Sequence, residues 1–140
     1  MSLFARNAII HALLLLGLLV CKSGGISLRL PKVAVVITND LSSCLDLTVH
    51  CKSKEDDLGE QVIPFNNIYE FSFHPDFFAT TQFYCRMKWT PEWYWFDIFV
   101  STRDYHVCGK RCLWIIRQGG PCMFNQTIMQ YNICYEWNEG

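Results

Sequence analysis

The sequence predicts an all-β fold, a small antiparallel β-sandwich of about six to eight strands stabilised by disulfides. Several short segments alternate apolar and polar residues with a period of two, which is typical of strands with one buried face. Gly, Pro and Asn separate these segments, and no stretch keeps a helical period. Cysteines occupy the apolar phase of three predicted strands, at Cys51, Cys85 and Cys112. A small closed barrel is the alternative arrangement of the same strands.

The first half of the domain begins with a strand at Val33–Asn39, which is rich in β-branched residues. Residues 45–52 form the second predicted strand, because Leu47, Val49 and Cys51 share one face. Residues 52–59 follow as a charged turn that ends on a glycine able to adopt positive φ. The next extended segments are predicted at residues 61–65 and 68–74.

The second half begins with the clear alternation of residues 81–89. A short connection containing Pro91 follows, so the next strand, residues 93–100, should return as an antiparallel hairpin. Its alternation predicts that Tyr94 and Phe96 point inward and that Trp93 and Trp95 lie on the opposite face. The remaining predictions are a polar loop at residues 101–108, strands at 112–117 and 122–124, and an irregular tail after residue 125.

Residues 1–25 have the order of a secretory signal peptide. Arg6 precedes an uncharged apolar run at residues 8–20, and small residues follow up to Gly25. The apolar run has about 13 residues, whereas a membrane-spanning helix needs about 20. We therefore expect cleavage near Gly25, a domain at residues 26–140 and no membrane insertion afterwards. A retained anchor is the alternative.

The charge of the expected mature chain argues against a nucleic-acid partner. From Ile26 onward the sequence carries ten Lys and Arg against thirteen Asp and Glu, a net charge of −3. Nucleic-acid surfaces require clustered positive charge, and no basic run is present.

The cysteine count fits a secreted, extracellular protein. Eight cysteines are present, and Cys21 would leave with the signal peptide. Seven then enter an oxidising compartment, where thiols tend to pair. Because seven is odd, one cysteine stays free or links two chains as a homodimer. Asn125 begins an Asn-Gln-Thr acceptor for N-glycosylation, which fits the same compartment.

The three histidines of the mature chain are the candidates for enzymatic acid–base chemistry. A secreted ribonuclease would use two histidines as acid and base. His50 lies on the polar phase of its strand, His74 precedes a proline, and neither has the His-Gly-Leu-Trp context of plant secreted ribonucleases. We therefore predict surface histidines and no catalytic function.

Two sequence features invite a metal-binding interpretation. Residues 55–57 are consecutive acids, but they lack the spacing of a calcium-binding EF-hand loop. Cys108 and Cys112 have near-zinc spacing, but no Cys or His pair of matching spacing completes four ligands. The sequence therefore predicts no metal and no cofactor.

Several short motifs together resemble the plant self-incompatibility protein S1 family, the S-protein homologues. They run in order through most of the mature chain: TNDL at 38–41, LTVHCKSK at 47–54, DDLG at 56–59, YEFSF at 69–73, TTQFYC at 80–85, FDIF at 96–99 and CGKRCLW at 108–114. The combination of the HCKSKxDDLG segment with the later CxxxCxW is the most specific part.

This resemblance implies a secreted plant protein with a β-sandwich held by two disulfides. The best-known members of the family are pistil ligands that signal to incompatible pollen through a receptor. The family's four cysteines correspond to Cys51, Cys85, Cys108 and Cys112, among which three pairings are possible. Three further cysteines exceed the family pattern: Cys44, Cys122 and Cys134. They leave room for another bridge or a dimer.

We therefore expect a signalling ligand that a cell-surface receptor protein recognises through loops at residues 54–59 and 102–106. The candidate contact residues are Glu55, Asp56, Asp57, Arg103, Asp104 and His106. The alternative is a lectin-like or defence-related module that stacks sugars on Trp93 and Trp95.

Overall fold

Nine strands form the fold in the part of the chain that the structure describes. The computed structural model describes residue 3, residues 5–12 and residues 29–139. The strands are β1 (Val33–Asn39), β2 (Leu47–Lys52), β3 (Asp57–Ile63), β4 (Ile68–Phe73), β5 (Gln82–Trp89), β6 (Glu92–Val100), β7 (Arg111–Arg117), β8 (Gly120–Asn125) and β9 (Gln130–Cys134). Ser42–Cys44 forms a 3₁₀ turn, and Ser101–Cys108 forms an α-helix that we call the connecting helix. The expected cleavage site near Gly25 lies outside the described residues.

Two sheets make up the sandwich. One has the strand order β4-β1-β7-β8-β9 and the other β3-β2-β5-β6. The predicted sandwich is confirmed, and the closed barrel is not formed. Neighbouring strands are antiparallel except β1 and β7, which run parallel with Val35 opposite Cys112. Between these two strands the chain forms β2 and β3 of the other sheet, then β4 of the same sheet, then β5 and β6 of the other sheet. It returns to the first sheet through the connecting helix, and parallel neighbours require such a crossover connection.

The core fills the space between the sheets with apolar residues from alternate strand positions. In β5, Phe83, Cys85, Met87 and Trp89 are buried while their neighbours are exposed. Across the interior, the rings of Phe96 and Trp114 meet edge to face, with centroids 5.3 Å apart. The predicted hairpin of β5 and β6 is confirmed.

The prediction of a polar loop at residues 101–108 is wrong, because the segment is helical. The residues that the helix buries are Ser101, Asp104 and Cys108, which follow a helical spacing. Two of the three are polar, so the segment lacks the apolar period by which a helix is recognised in a sequence.

Two other segments differ from the sequence prediction. The tail after residue 125 is irregular only in part, because residues 130–134 form β9, which adds a fifth strand to its sheet and brings the number of described strands to nine. β9 lies at the sheet edge with only Tyr131 and Ile133 half-buried, which leaves a weak apolar alternation. The charged turn is also shorter than predicted, since β3 already begins at Asp57.

Three disulfides link elements of the sandwich. Cys51 and Cys85 lie directly opposite each other on β2 and β5 and are bonded. Cys108 at the end of the connecting helix is bonded to Cys112 in β7. Cys122 and Cys134 join β8 to β9, a bridge beyond the two that the family resemblance implied. Among the described residues, Cys44 is the free cysteine, and it is exposed.

Candidate functional site

The loop between β2 and β3 forms a compact turn, residues 53–56, that we call the acidic turn. The backbone N–H of Ser53 donates to the carbonyl of Asp56 at 2.8 Å. The Ser53 hydroxyl accepts from the N–H groups of Glu55 and Asp56, at 3.3 and 3.0 Å. The side chains of Glu55 and Asp56 are exposed. The turn therefore presents two carboxylates to solvent on a hydrogen-bonded backbone.

Asp57, the third predicted acid of this loop, lies in β3 and fixes the base of the turn. Its carboxylate contacts Nε2 of His50 at 2.5 Å and Nζ of Lys52 at 3.6 Å, and it accepts from the N–H of Gly59 at 3.0 Å. The hydrogen bond with His50, helped by that from Gly59, lowers the pKa of Asp57 to about 2. Asp57 therefore connects β2 to β3.

The second predicted contact region, residues 102–106, is turned inward in part. Asp104 is fully buried, so the expectation that it contacts a partner is wrong. Its carboxylate accepts from the Val100 N–H at 2.8 Å and from Arg103 Nε at 2.7 Å. Arg103 also donates to the Asp97 carbonyl at 2.6 Å. Arg103 provides the paired cation that the buried Asp104 carboxylate requires. Because Asp104 bonds Val100 and Arg103 bonds Asp97, the pair holds the connecting helix on β6.

His106 is exposed on the connecting helix, as are Thr102 and Val107. His50, His74 and His106 lie on different elements. Nε2 of His50 contacts Asp57, and Nδ1 of His74 lies 3.1 Å from the Leu30 carbonyl. Within the described residues, no group of three or more His, Cys, Asp or Glu side chains is placed to hold a metal ion.

A groove of about 560 Å³ separates the acidic turn from the loop that joins β4 to β5, residues 74–81. Lys54, Glu55 and Asp56 line one side, and Asp76, Thr80 and Thr81 line the other. The two loops stand at the same end of the four-stranded sheet, because Lys52 at the end of β2 is opposite Tyr84 near the start of β5.

The β4–β5 loop is fixed by Asp76. Its carboxylate accepts from the N–H groups of Thr80 and Thr81 at 2.7 and 2.9 Å and from both threonine hydroxyls. These hydrogen bonds, that of the Thr80 hydroxyl foremost, lower the pKa of Asp76 to about 2. The sequence analysis did not select this loop. An Asp that precedes two threonines by four and five residues is the signal for such side-chain-to-backbone bonding.

A second groove, of about 510 Å³, lies on the outer face of the four-stranded sheet. We call it the outer-face groove; it is lined by His50, Lys52, Gln82, Tyr84, Arg86, Trp93, Trp95 and Asp97. Trp93 and Trp95 lie on the face opposite Phe96, as the alternation predicted, and Trp93 is 54% exposed. The Arg86 guanidinium stands 4.7 Å from the Trp93 ring centroid. The groove thus combines broad aromatic surfaces with a cation.

Two further predicted positions lie away from these grooves. Asn125 ends β8, and its side-chain oxygen accepts from the Thr127 N–H at 3.0 Å. Its glycosylation stays a prediction. The exposed thiol of Cys44 lies in the 3₁₀ turn after β1, and the homodimer through that thiol also stays a prediction.

These features define a class: a small disulfide-bridged β-sandwich that presents fixed loops and an aromatic outer face. The family model described as plant self-incompatibility protein S1 matches residues 34–137. This chain therefore belongs to the plant self-incompatibility protein S1 family, and the predicted family resemblance is confirmed.

Relatives agree with this assignment, and a solved structure agrees with the fold. The chain is 42% identical over 112 residues to S-protein homolog 2 of Arabidopsis thaliana, covering 77% of this chain and 70% of the relative. It is 35% identical over 130 residues to S-protein homolog 20 of the same plant, covering 92% and 93%. A solved structure of SPH proteins, described as a widespread family of small, highly stable, secreted proteins from plants, matches with a TM-score of 0.55 and 19% identity. It covers 77% of this chain and 96% of the solved one, and it supports the fold alone.

Proposed function

We propose that this protein is a secreted extracellular ligand that a cell-surface receptor protein recognises through the acidic turn. The observation that carries the proposal is the geometry of this turn. Glu55 and Asp56 are exposed on a backbone held by Ser53, directly beyond the strand that the Cys51–Cys85 bridge fixes. A rigid scaffold under a charged loop suits recognition, because the loop varies chemically at little cost to the core.

Secretion is supported by three independent features. The first residues have the composition of a signal peptide. Three disulfides suit an oxidising compartment, since they are rare in reducing ones. Related proteins of the same fold are described as secreted. In the described residues, the helices are too short or too polar to cross a membrane.

Binding of labelled protein to intact plant cells tests the proposal. Pollen is among the cell types to be tested. We expect saturable binding to at least one cell type, and we expect unlabelled protein to displace the bound labelled protein. The double variant Glu55→Gln/Asp56→Asn should bind about tenfold more weakly, chiefly through slower association, because rim charges steer encounter.

A matched control removes the same charge at the opposite end of the sheet. Asp46→Asn/Glu92→Gln changes two exposed acids there and should bind as the unmodified protein does. Equal binding by both double variants would remove the acidic turn from the site. If no cell type shows saturable binding, the proposal that this protein is a receptor ligand is refuted.

A lectin-like module is the second candidate function, and the outer-face groove favours it. Trp93, Trp95 and Tyr84 offer flat apolar surfaces, and Arg86 offers hydrogen-bond donors beside them. A glycan array distinguishes the two functions. The lectin function would be supported if the protein binds a glycan, Trp93→Ala does not bind it and Val62→Ala on β3 still binds it. Val62 is a suitable control because it is 59% exposed.

A further inference from the structure

The β4–β5 loop displays two adjacent phenylalanine side chains to solvent. Phe77 is 67% exposed and Phe78 is 83% exposed, the highest value among the large apolar residues of the described part. Their rings meet edge to face with centroids 5.9 Å apart. Leaving two neighbouring aromatic rings in water forgoes burial that a core position would provide. Such a pair marks an interaction surface when the backbone beneath it is fixed.

The backbone beneath the two rings is fixed at both ends. Pro75 on one side is buried, and Asp76 binds Thr80 and Thr81 on the other side. The Ala79 N–H donates to the Asp76 carbonyl at 3.3 Å and closes the loop around the phenylalanines. Because the loop is already ordered, binding through Phe77 and Phe78 would lose little conformational entropy.

The electrostatic surroundings indicate which kind of partner fits. The acidic turn stands across the groove from this loop, and the groove lining carries Lys54 against Glu55, Asp56 and Asp76. An anionic membrane surface would be repelled by this excess of carboxylates. A protein pocket with an apolar floor and a rim of Lys or Arg is complementary to both features.

We propose that Phe77 and Phe78 are the apolar anchor of this ligand. They would enter an apolar pocket of a cell-surface protein whose basic rim faces Glu55 and Asp56. The inference rests on the proposed receptor-ligand function and adds the chemistry of the partner. Aromatic residues near the centre of an interface carry a large share of binding free energy, while charged rims act mainly on encounter.

The test compares Phe77→Ser/Phe78→Ser with Ile128→Ser/Met129→Ser. The control pair is also apolar and exposed, at 48% and 71%, but lies in the turn between β8 and β9. Both variants should keep the thermal midpoint of the unmodified protein, because neither pair is in the core. On intact cells the phenylalanine variant should bind about thirtyfold more weakly or worse, and the control should bind normally.

Two further measurements fix the nature of the partner. Protease treatment of the cells should abolish binding, and vesicles of phosphatidylcholine and phosphatidylserine should not bind the protein. Added salt should weaken binding of the unmodified protein more than that of Glu55→Gln/Asp56→Asn, because screening acts on the charged rim.

Each contrary outcome has a distinct meaning. Unchanged cell binding by the phenylalanine variant would overturn the anchor and leave the receptor-ligand function standing. Phenylalanine-dependent binding to the vesicles, or binding that survives protease, would replace the protein pocket with a lipid surface. Lack of saturable binding by the unmodified protein would overturn the proposed function and this inference with it.

Discussion

Asn39 at the end of β1 connects three segments of the fold from a fully buried position. Its side-chain nitrogen donates to the carbonyls of Leu45 and Ile63 at 2.7 and 2.8 Å. Its side-chain oxygen accepts from the Leu41 N–H at 3.0 Å. Buried carbonyls and N–H groups need such partners, because no water replaces them.

Replacement of this side chain should therefore be costly. Asn39→Ala leaves buried backbone groups without partners, and we expect a loss of about 3 kcal/mol in the free energy of unfolding. Urea denaturation measures it. Asn132→Ala, at an exposed position of β9, should change stability by less than about 0.5 kcal/mol. Equal stability of the two variants would contradict the role of Asn39.

Asp57 and Asp76 make the stability of the protein dependent on acid pH. Both carboxyl groups have a pKa of about 2 in the folded protein, against an ordinary value of 3.8. A lowered folded pKa means that the unfolded chain binds the proton more tightly. The stabilisation is therefore present above about pH 3.8 and is lost as the pH falls towards about 2.

Thermal unfolding across this pH range tests the assignment. The midpoint temperature of unfolding of the unmodified protein should fall steeply below about pH 4, because both carboxylates become protonated there. Asp76→Asn should be less stable at neutral pH and show a shallower fall in acid. Asp46→Asn should keep the steep fall. A slope unchanged in Asp76→Asn would show that this carboxylate does not contribute.

Single residues also show where sequence reasoning succeeds. The outward position of Trp93 follows from the two-residue period of a strand and was predicted. The burial of Asp104 was not predicted, because a charged residue is expected at the surface unless a partner is known. That partner, Arg103, is adjacent in sequence, but only the helical backbone directs both side chains onto β6.

Among the elements, the strands with strong alternation were predicted well and the others were not. β2 and β5 bury every second residue. The connecting helix buries polar side chains and β9 lies at a sheet edge, so neither has a clear apolar period. The acidic turn was found from its charge. The exposure of Phe77 and Phe78 was not foreseen, because apolar residues are ordinarily assigned to the core.

The disulfides differ in the length of the chain loop that each closes. The loss in free energy of unfolding on removal of each disulfide should increase with that length. Sequence separations are 34 for Cys51–Cys85, 12 for Cys122–Cys134 and 4 for Cys108–Cys112. Chain entropy predicts losses of about 4, 3 and 2 kcal/mol when each pair is replaced by alanine. Urea denaturation of the three double variants gives the order. A larger loss for Cys108–Cys112 than for Cys51–Cys85 would contradict it.

At the scale of the molecule, the buried core and the proposed recognition surface occupy different parts of the chain. The two sheets and their bridges bury the core, while the acidic turn and the β4–β5 loop stand together at one end. Each loop is held by its own hydrogen bonds, which the Ser53 hydroxyl accepts in one and the Asp76 carboxylate accepts in the other. Changes to their exposed side chains should therefore alter binding with little effect on folding.

We propose that this sandwich is cross-linked and works outside the cell. The most direct test of this proposal is thiol mapping by mass spectrometry on the protein recovered from extracellular fluid of the plant tissue that expresses it. We expect a chain without its first residues, three bridges joining Cys51–Cys85, Cys108–Cys112 and Cys122–Cys134, and a free thiol at Cys44. Recovery only from inside the cell, with the cysteines of these three pairs reduced, would contradict a cross-linked protein that works outside the cell.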